Sequence, residues 1–230
     1  VEVPEVAIIR SWRRDLQNDS APARTNGFAE DATPESVSRA LAVKGMGDLA
    51  TIAAVIGAPV EKVAAVFTTL VEAGDVVVMP RNRFRPTPEL TRRVDAWFVE
   101  AANRVKGDIL GEWDAFHGVN DHFKTLVTDW QMREVNGAQV LNDHSDSDYD
   151  AAVIGRVRPE IHVLIGPIIE RVAQAEPRLI RYLDRLNNAL VTLEAGDSDM
   201  FAHPLKNSYH TVWFELHEEL IRLSGRKRTE

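Results

Sequence analysis

The chain has 230 residues, a formal net charge of −8, 44% hydrophobic and 27% charged residues, and no cysteine. That composition can build a packed core in one large domain or two small ones, and it excludes a chain disordered throughout. It also excludes disulfides, thiol nucleophiles and cysteine-held zinc or iron–sulfur sites, and it disfavours indiscriminate binding to nucleic acid.

Val6, Ile9, Trp12 and Leu16 fall at helical spacing, so residues 4–16 read as a short amphipathic helix. Residues 17–31 are rich in Asn, Ser, Ala, Pro and Gly and read as a linker, making residues 1–32 an N-terminal helix and linker. Thr33-Pro34-Glu35 then supplies a capping hydroxyl, a first-turn proline and an acid. The helix it opens buries Val37, Ala40 and Leu41 and stops near Gly45 and Gly47. A second helix starts at Asp48 and carries Leu49, Ile52, Ala53 and Ile56. A third follows the Gly57-Ala58-Pro59 turn, with Val63, Val66, Phe67 and Leu70 inward and Gly74 at its end. Val76–Met79, a turn at Pro80-Arg81-Asn82, and Arg83–Arg85 read as a β-hairpin. Three helices followed by a hairpin are the order of a winged helix-turn-helix, over residues 33–87.

From Thr87 onward the pattern reads as helix throughout, forming a helical domain over residues 88–230 for a ligand or partner. Leu90, Val94, Trp97, Phe98, Ala101 and Val105 form one stripe, weakened or broken at Gly107 and Gly111. A second stripe runs from Asp121 to Met132. Pro159 and Pro167 must kink or divide the segment from Tyr149 to Ala175. Glu176-Pro177 opens a further helix, and the last runs from about Asn207 to Leu223. The basic residues Arg226-Lys227-Arg228 follow it. The fold expected is all-α with a small β-wing: a winged helix-turn-helix followed by a multi-helix domain. No run reaches the ~18 apolar residues of a membrane span. A cytoplasmic protein without a membrane partner is therefore expected.

In a winged helix the third helix meets the major groove and needs side chains that reach base edges. Val60, Glu61, Lys62, Ala64, Ala65, Thr68 and Thr69 would face DNA, and only Lys62, Thr68 and Thr69 suit the task. The wing is better equipped, with Arg81, Arg83 and Arg85. Residues 1–87 hold ten Lys or Arg against eleven Asp or Glu, so the excess acid lies in the helical half. DNA binding is allowed but not favoured; the competing reading is a winged helix used for protein packing.

Asp146, Asp148 and Asp150 superficially match a calcium loop. Ala151 replaces its glycine and Val157 its bidentate glutamate, so Ser147 or Asp148 reads instead as a helix cap. His210 and His217 are seven residues apart, about 10 Å along a helix, too far to share one ion easily. They read as partly buried core residues, and neither a metal nor a cofactor is expected. A ligand pocket between helices remains open, with Trp130, Tyr149, Tyr209 and Trp213 as walls. Lys124, Arg133, His144, His210 and His217 are its polar candidates. Phosphate-loop, dinucleotide and nucleophile-elbow motifs are absent, and no catalytic residue is nominated.

The stretches Ile56–Pro59, Leu70–Val76 and Phe84–Glu89 resemble MarR-type regulators in register. Phe123–Arg133, Asn142–Asp146 and Ser208–Glu218 resemble the C-terminal region of actinobacterial pyruvate phosphate dikinase-related, phosphoenolpyruvate-utilising phosphotransferases. That likeness covers most of residues 35–225. The family's nucleotide-binding and phosphohistidine domains have no counterpart here, and neither has its glycine-rich histidine motif. The resemblance implies a non-catalytic accessory or regulatory protein that binds a partner protein or small ligand. Alternatively, the MarR likeness implies a ligand-responsive transcription regulator. It also suggests a homodimer built on the helix carrying Trp97 and Phe98.

Overall fold

The computed structural model describes residues 29–226. The expected helix over residues 4–16, most of the linker after it and the end of the basic tail lie outside the described residues. The described chain is mostly helical, with two small two-stranded antiparallel sheets. It divides into two compact units, among the described residues 29–104 with 221–226, and 105–220.

The first unit begins with α1 (Pro34–Lys44). The Thr33 side chain accepts from the Ser36 amide, and the Ser36 hydroxyl accepts from the Thr33 amide, so two orphan donors are satisfied reciprocally. Gly45, at φ 76°, ends the helix in a conformation that disfavours a side chain. Asp48 caps α2 (Leu49–Ile56), accepting from the Thr51 amide at 2.8 Å. After α3 (Val60–Glu72), β1 (Val76–Met79) pairs with β2 (Arg83–Pro86), Val78 opposite Phe84. Phe84 is fully buried 4.3 Å from Phe67, and its backbone bridges Gly47, tying the hairpin to the helices. Ala64, expected to face DNA, is fully buried in this core. It lies on the face of α3 that carries Val63 and Phe67, one turn before Phe67.

A long helix, α4 (Pro88–Gly111), begins in the first unit. It runs through Gly107 without a break and ends at Gly111, because backbone hydrogen bonding tolerates glycine at modest cost. Phe98, expected as a dimer contact, is buried within its own unit, with the Arg222 guanidinium 5.0 Å from its ring.

The second unit contains α5 (Trp113–Gln131), α6 (Ser147–Arg156), α7 (Val163–Ala175) and α8 (Ile180–Glu194). Short α9 (Asp199–Ala202) leads to α10 (Tyr209–Ser224), whose last turn belongs to the first unit. The expectation of helix throughout fails at residues 132–141. There β3 (Met132–Val135) and β4 (Ala138–Leu141) form a hairpin around Asn136-Gly137, at φ 53° and 80°. Both turn residues take the left-handed conformation of a two-residue hairpin turn, which Asn-Gly favours. A π-helical turn, Val157–His162, joins α6 to α7. Pro159 lies inside it, where the missing N–H interrupts the ordinary ladder, whereas Pro167 sits within the first turns of α7 without ending it. Among the described residues, no single helix is long and apolar enough to cross a membrane.

Candidate functional site

The expected ligand residues separate into neighbourhoods of the second unit. The first is built where α5 runs into β3 and β4 runs into α6. Asn142 closes the hairpin: its amide N–H donates to the Gln131 carbonyl at 2.8 Å. Its side-chain amide donates to the Trp130 carbonyl at 3.0 Å and to Asp150 Oδ1 at 2.7 Å. His144 follows in a left-handed conformation, φ 58°, its own N–H donating to Asn142 Oδ1. Its Nδ1 lies 2.9 Å from Asp150 Oδ2. The imidazole rests 4.4 Å from the Trp130 ring, whose other neighbour is Phe201 at 4.7 Å. Trp130 and Asp150 are buried, while the His144 side chain is 42% exposed.

Asp146, rather than Ser147 or Asp148, caps α6, accepting from the Tyr149 amide at 3.0 Å. Its carboxylate reaches back one more position than the sequence reading assigned. Arg133 on β3 lies 3.1 Å from Asp143 and 3.7 Å from Asp146. The Ser145 hydroxyl and amide, assisted by Arg133, hold the Asp143 carboxyl below the usual range. The Tyr149 hydroxyl shares its one hydrogen between the Asp129 and Met132 carbonyls, 2.8 and 3.0 Å away, and burial beside Asp129 pushes its phenol up. Trp130, Arg133, His144 and Tyr149 therefore do gather at the foot of one hairpin. Lys124 does not join them; it stands exposed on α5, 3.7 Å from Asp121.

A column of rings continues inward. Phe201 lies 6.5 Å from Phe123, which in turn touches Tyr209, His210 and Trp213. The Trp213 indole N–H donates to Asn120 Oδ1 at 2.9 Å. His210 packs on Phe123, and burial lowers its imidazole from the ordinary value. His217 lies farther along α10 among Trp113, Phe116 and His117. These rings pack together, with His210 and His217 half-buried among them.

Two polar groupings have no counterpart in the sequence reading. His162, at the end of the π turn, lies 2.8 Å from Asn187 Oδ1 through Nε2 and 3.2 Å from the Tyr209 hydroxyl through Nδ1. Burial lowers His162 and raises Tyr209. The second grouping is a layer of buried charge. An Arg178 guanidinium nitrogen reaches both Glu219 oxygens, at 2.7 and 2.6 Å. Arg185 meets Glu215 at 2.7 Å and Asn207 at 2.9 Å. The Tyr182 hydroxyl donates to Glu219 at 3.3 Å. The spacing of Arg178, Arg181 and Arg185 was a visible signal, since i, i+3, i+7 places three cations on one helix face flanking the leucine stripe. Among the described residues, no group of three or more His, Cys, Asp or Glu is placed to hold a metal ion.

The DNA-facing candidates occupy the first unit. Lys62, Thr69, Arg81 and Arg85 are exposed, and Thr68 and Arg83 are half-buried. The Thr68 hydroxyl donates to the Ala64 carbonyl at 3.0 Å. Comparisons with protein-family models, with curated proteins and with solved structures find no match to this chain.

Proposed function

We propose that this chain is a winged-helix accessory or regulatory protein that binds a protein partner or small ligand through its helical unit, beside a phosphoenolpyruvate-utilising phosphotransferase system. The observation that supports it best is the outer face of α3. That face offers Glu61, Lys62, Ala65 and Thr69, with Ala64 withdrawn into the core. One cation and one threonine hydroxyl are a poor set for reading bases, and Glu61 opposes phosphate. The helical unit, by contrast, presents polar side chains whose positions are set by buried partners, which is the character of a binding site.

A second reading, a MarR-like ligand-responsive regulator, is favoured by Arg81, Arg83 and Arg85 on the first hairpin. A titration against the protein's own upstream DNA at two salt concentrations separates the two. The accessory reading expects weak binding that competitor DNA removes and salt abolishes. Tight binding that survives competitor makes the protein a regulator. Calorimetric titration with a purified phosphoenolpyruvate-utilising phosphotransferase and with phosphoenolpyruvate then tests the accessory reading directly. Heat of binding to either supports it; no heat with either removes the phosphotransferase link.

A further inference from the structure

The protons around His144 can be counted. The Asn142 side-chain amide has two hydrogens, and its two acceptors are the Trp130 carbonyl and Asp150 Oδ1. Its nitrogen also lies 3.2 Å from His144 Nδ1, but no hydrogen is left to donate there. Asp150 Oδ2, 2.9 Å from the same Nδ1, is a carboxylate oxygen and only accepts. The neutral imidazole must therefore carry its proton on Nδ1, and Nε2 keeps its lone pair. Trp130, backed by Phe201, fixes the ring plane, and the side chain is 42% exposed.

We propose that His144 is a proton-accepting residue, a general base oriented by Asp150, acting on a neutral or cationic molecule that presents an O–H or N–H to Nε2. In the step, the donor's O–H or N–H bond breaks and its electron pair stays on the heteroatom. The proton forms a new bond at Nε2, and the resulting imidazolium lies against the Asp150 carboxylate. A base held by a second group through its far nitrogen is the arrangement that proton-transfer sites need. Asp143 precedes the histidine and Asp146 and Asp148 follow it; Arg133 offsets only one of these three exposed carboxylates, so the loop stays net negative and disfavours an anionic substrate. The inference goes beyond the binding reading and does not depend on it.

The test begins on the unaltered protein. Nitrogen-15 NMR of the neutral imidazole is expected to find hydrogen attached to Nδ1 of His144 and none on Nε2. The proposal is overturned by a hydrogen on Nε2. Diethyl pyrocarbonate, which acylates an unprotonated imidazole nitrogen, then probes reactivity by peptide mass spectrometry. His144 is expected to react faster than exposed His122, and His144→Gln to lose that adduct. Asp150→Asn places an amide N–H opposite Nδ1, shifts the proton to Nε2 and brings the His144 rate down to that of His122. Equal rates for His144 and His122 in the unaltered protein indicate a purely structural histidine and also overturn the proposal.

Discussion

In the first unit the hairpin is anchored by an apolar side chain: Phe84 reaches between the helices and packs, tilted, against Phe67. In the second, the hairpin is anchored at its foot by amide and carboxylate groups, Asn142 and Asp150, and its strands stay largely in solvent, with Leu141 77% exposed. The same contrast runs through both cores. The first unit buries mainly aliphatic and phenylalanine side chains around three short helices, with Arg39, paired to Glu30, as its buried cation. The second threads polar groups through its apolar packing, at Asn120, His162, Arg178, Arg185, Glu215 and Glu219. Dispersion and burial tolerate imperfect geometry, whereas buried polar groups are costly unless each finds its partner. The second unit is therefore the more sharply specified of the two.

The largest expected effects lie in the two cores and have opposite physics. Phe84→Ala is expected to destabilise by about 3–5 kcal/mol, through lost burial and the cavity left behind. Glu219→Gln, which changes hardly any volume, is expected to cost about 3 kcal/mol, because buried Arg178 loses its nearest countercharge and keeps that of Glu176, 3.1 Å away. Urea unfolding of each variant measures both. A small loss for Glu219→Gln beside a large one for Phe84→Ala would remove the contrast between the units.

Next comes Asn142→Ala, expected to destabilise the second unit by about 1–3 kcal/mol, since the Trp130 carbonyl and Asp150 each lose a donor. Its effect should be read by Trp130 fluorescence before it is seen at Trp97, which lies in the first unit. Gly137→Ala is milder, at about 1 kcal/mol, because a side chain at φ 80° is strained. Loss of protection at the Met132–Leu141 amides in hydrogen exchange would localise that effect to the hairpin. Unchanged protection would show that the hairpin does not depend on its turn.

The expectation of a helical chain with small β content carried over well where hydrophobic spacing and caps coincide. Thr33-Pro34, Asp48, Gly45 and Gly57 mark helix ends by local chemistry that a single sequence displays. The second hairpin went unread although Asn136-Gly137 is a strong turn signal. Its strands are four residues each and mostly exposed, so they lack the apolar alternation that marks a half-buried strand. The site was legible in part for a related reason. Trp130, Arg133, His144 and Tyr149 lie close together in the chain, and one hairpin suffices to gather them. Asn142 and Asp150 were visible too, but as a loop residue and a residue of the next helix's first turn; that both bind His144 depends on how the loop between them folds. The pairing of Arg178 with Glu219 spans 41 residues and depends on how the turn before α8 packs on α10, which spacing within one helix cannot give.

The smallest effect, and the one that sharpens the comparison most, is on the acid side of neutrality. All seven histidines fall between residues 117 and 217, so histidine titration acts on the second unit alone. Burial holds His162 below its ordinary value, opposed by its bond to Asn187 and by Glu194 and reinforced by Arg158; burial likewise lowers His210. Above about pH 6.5, the value of an unfolded histidine, both states are neutral there and neither group contributes. As the pH falls below that value the unfolded chain takes up protons first, so stability declines until the folded groups titrate in turn. Carboxylates held low by their partners, such as Glu160 and Glu194, begin to matter only nearer their own ordinary range, at still lower pH. The urea midpoint read at Trp113, Trp130 and Trp213 should therefore drop between pH 7 and pH 5 while that read at Trp97 stays level. His162→Gln should flatten part of the drop, because an amide replaces the buried imidazole without titrating. A midpoint at the second-unit tryptophans that rises on acidification would mean that His162 gains a partner when protonated, and that its tie to Tyr209 and Asn187 is not the one that holds the π turn.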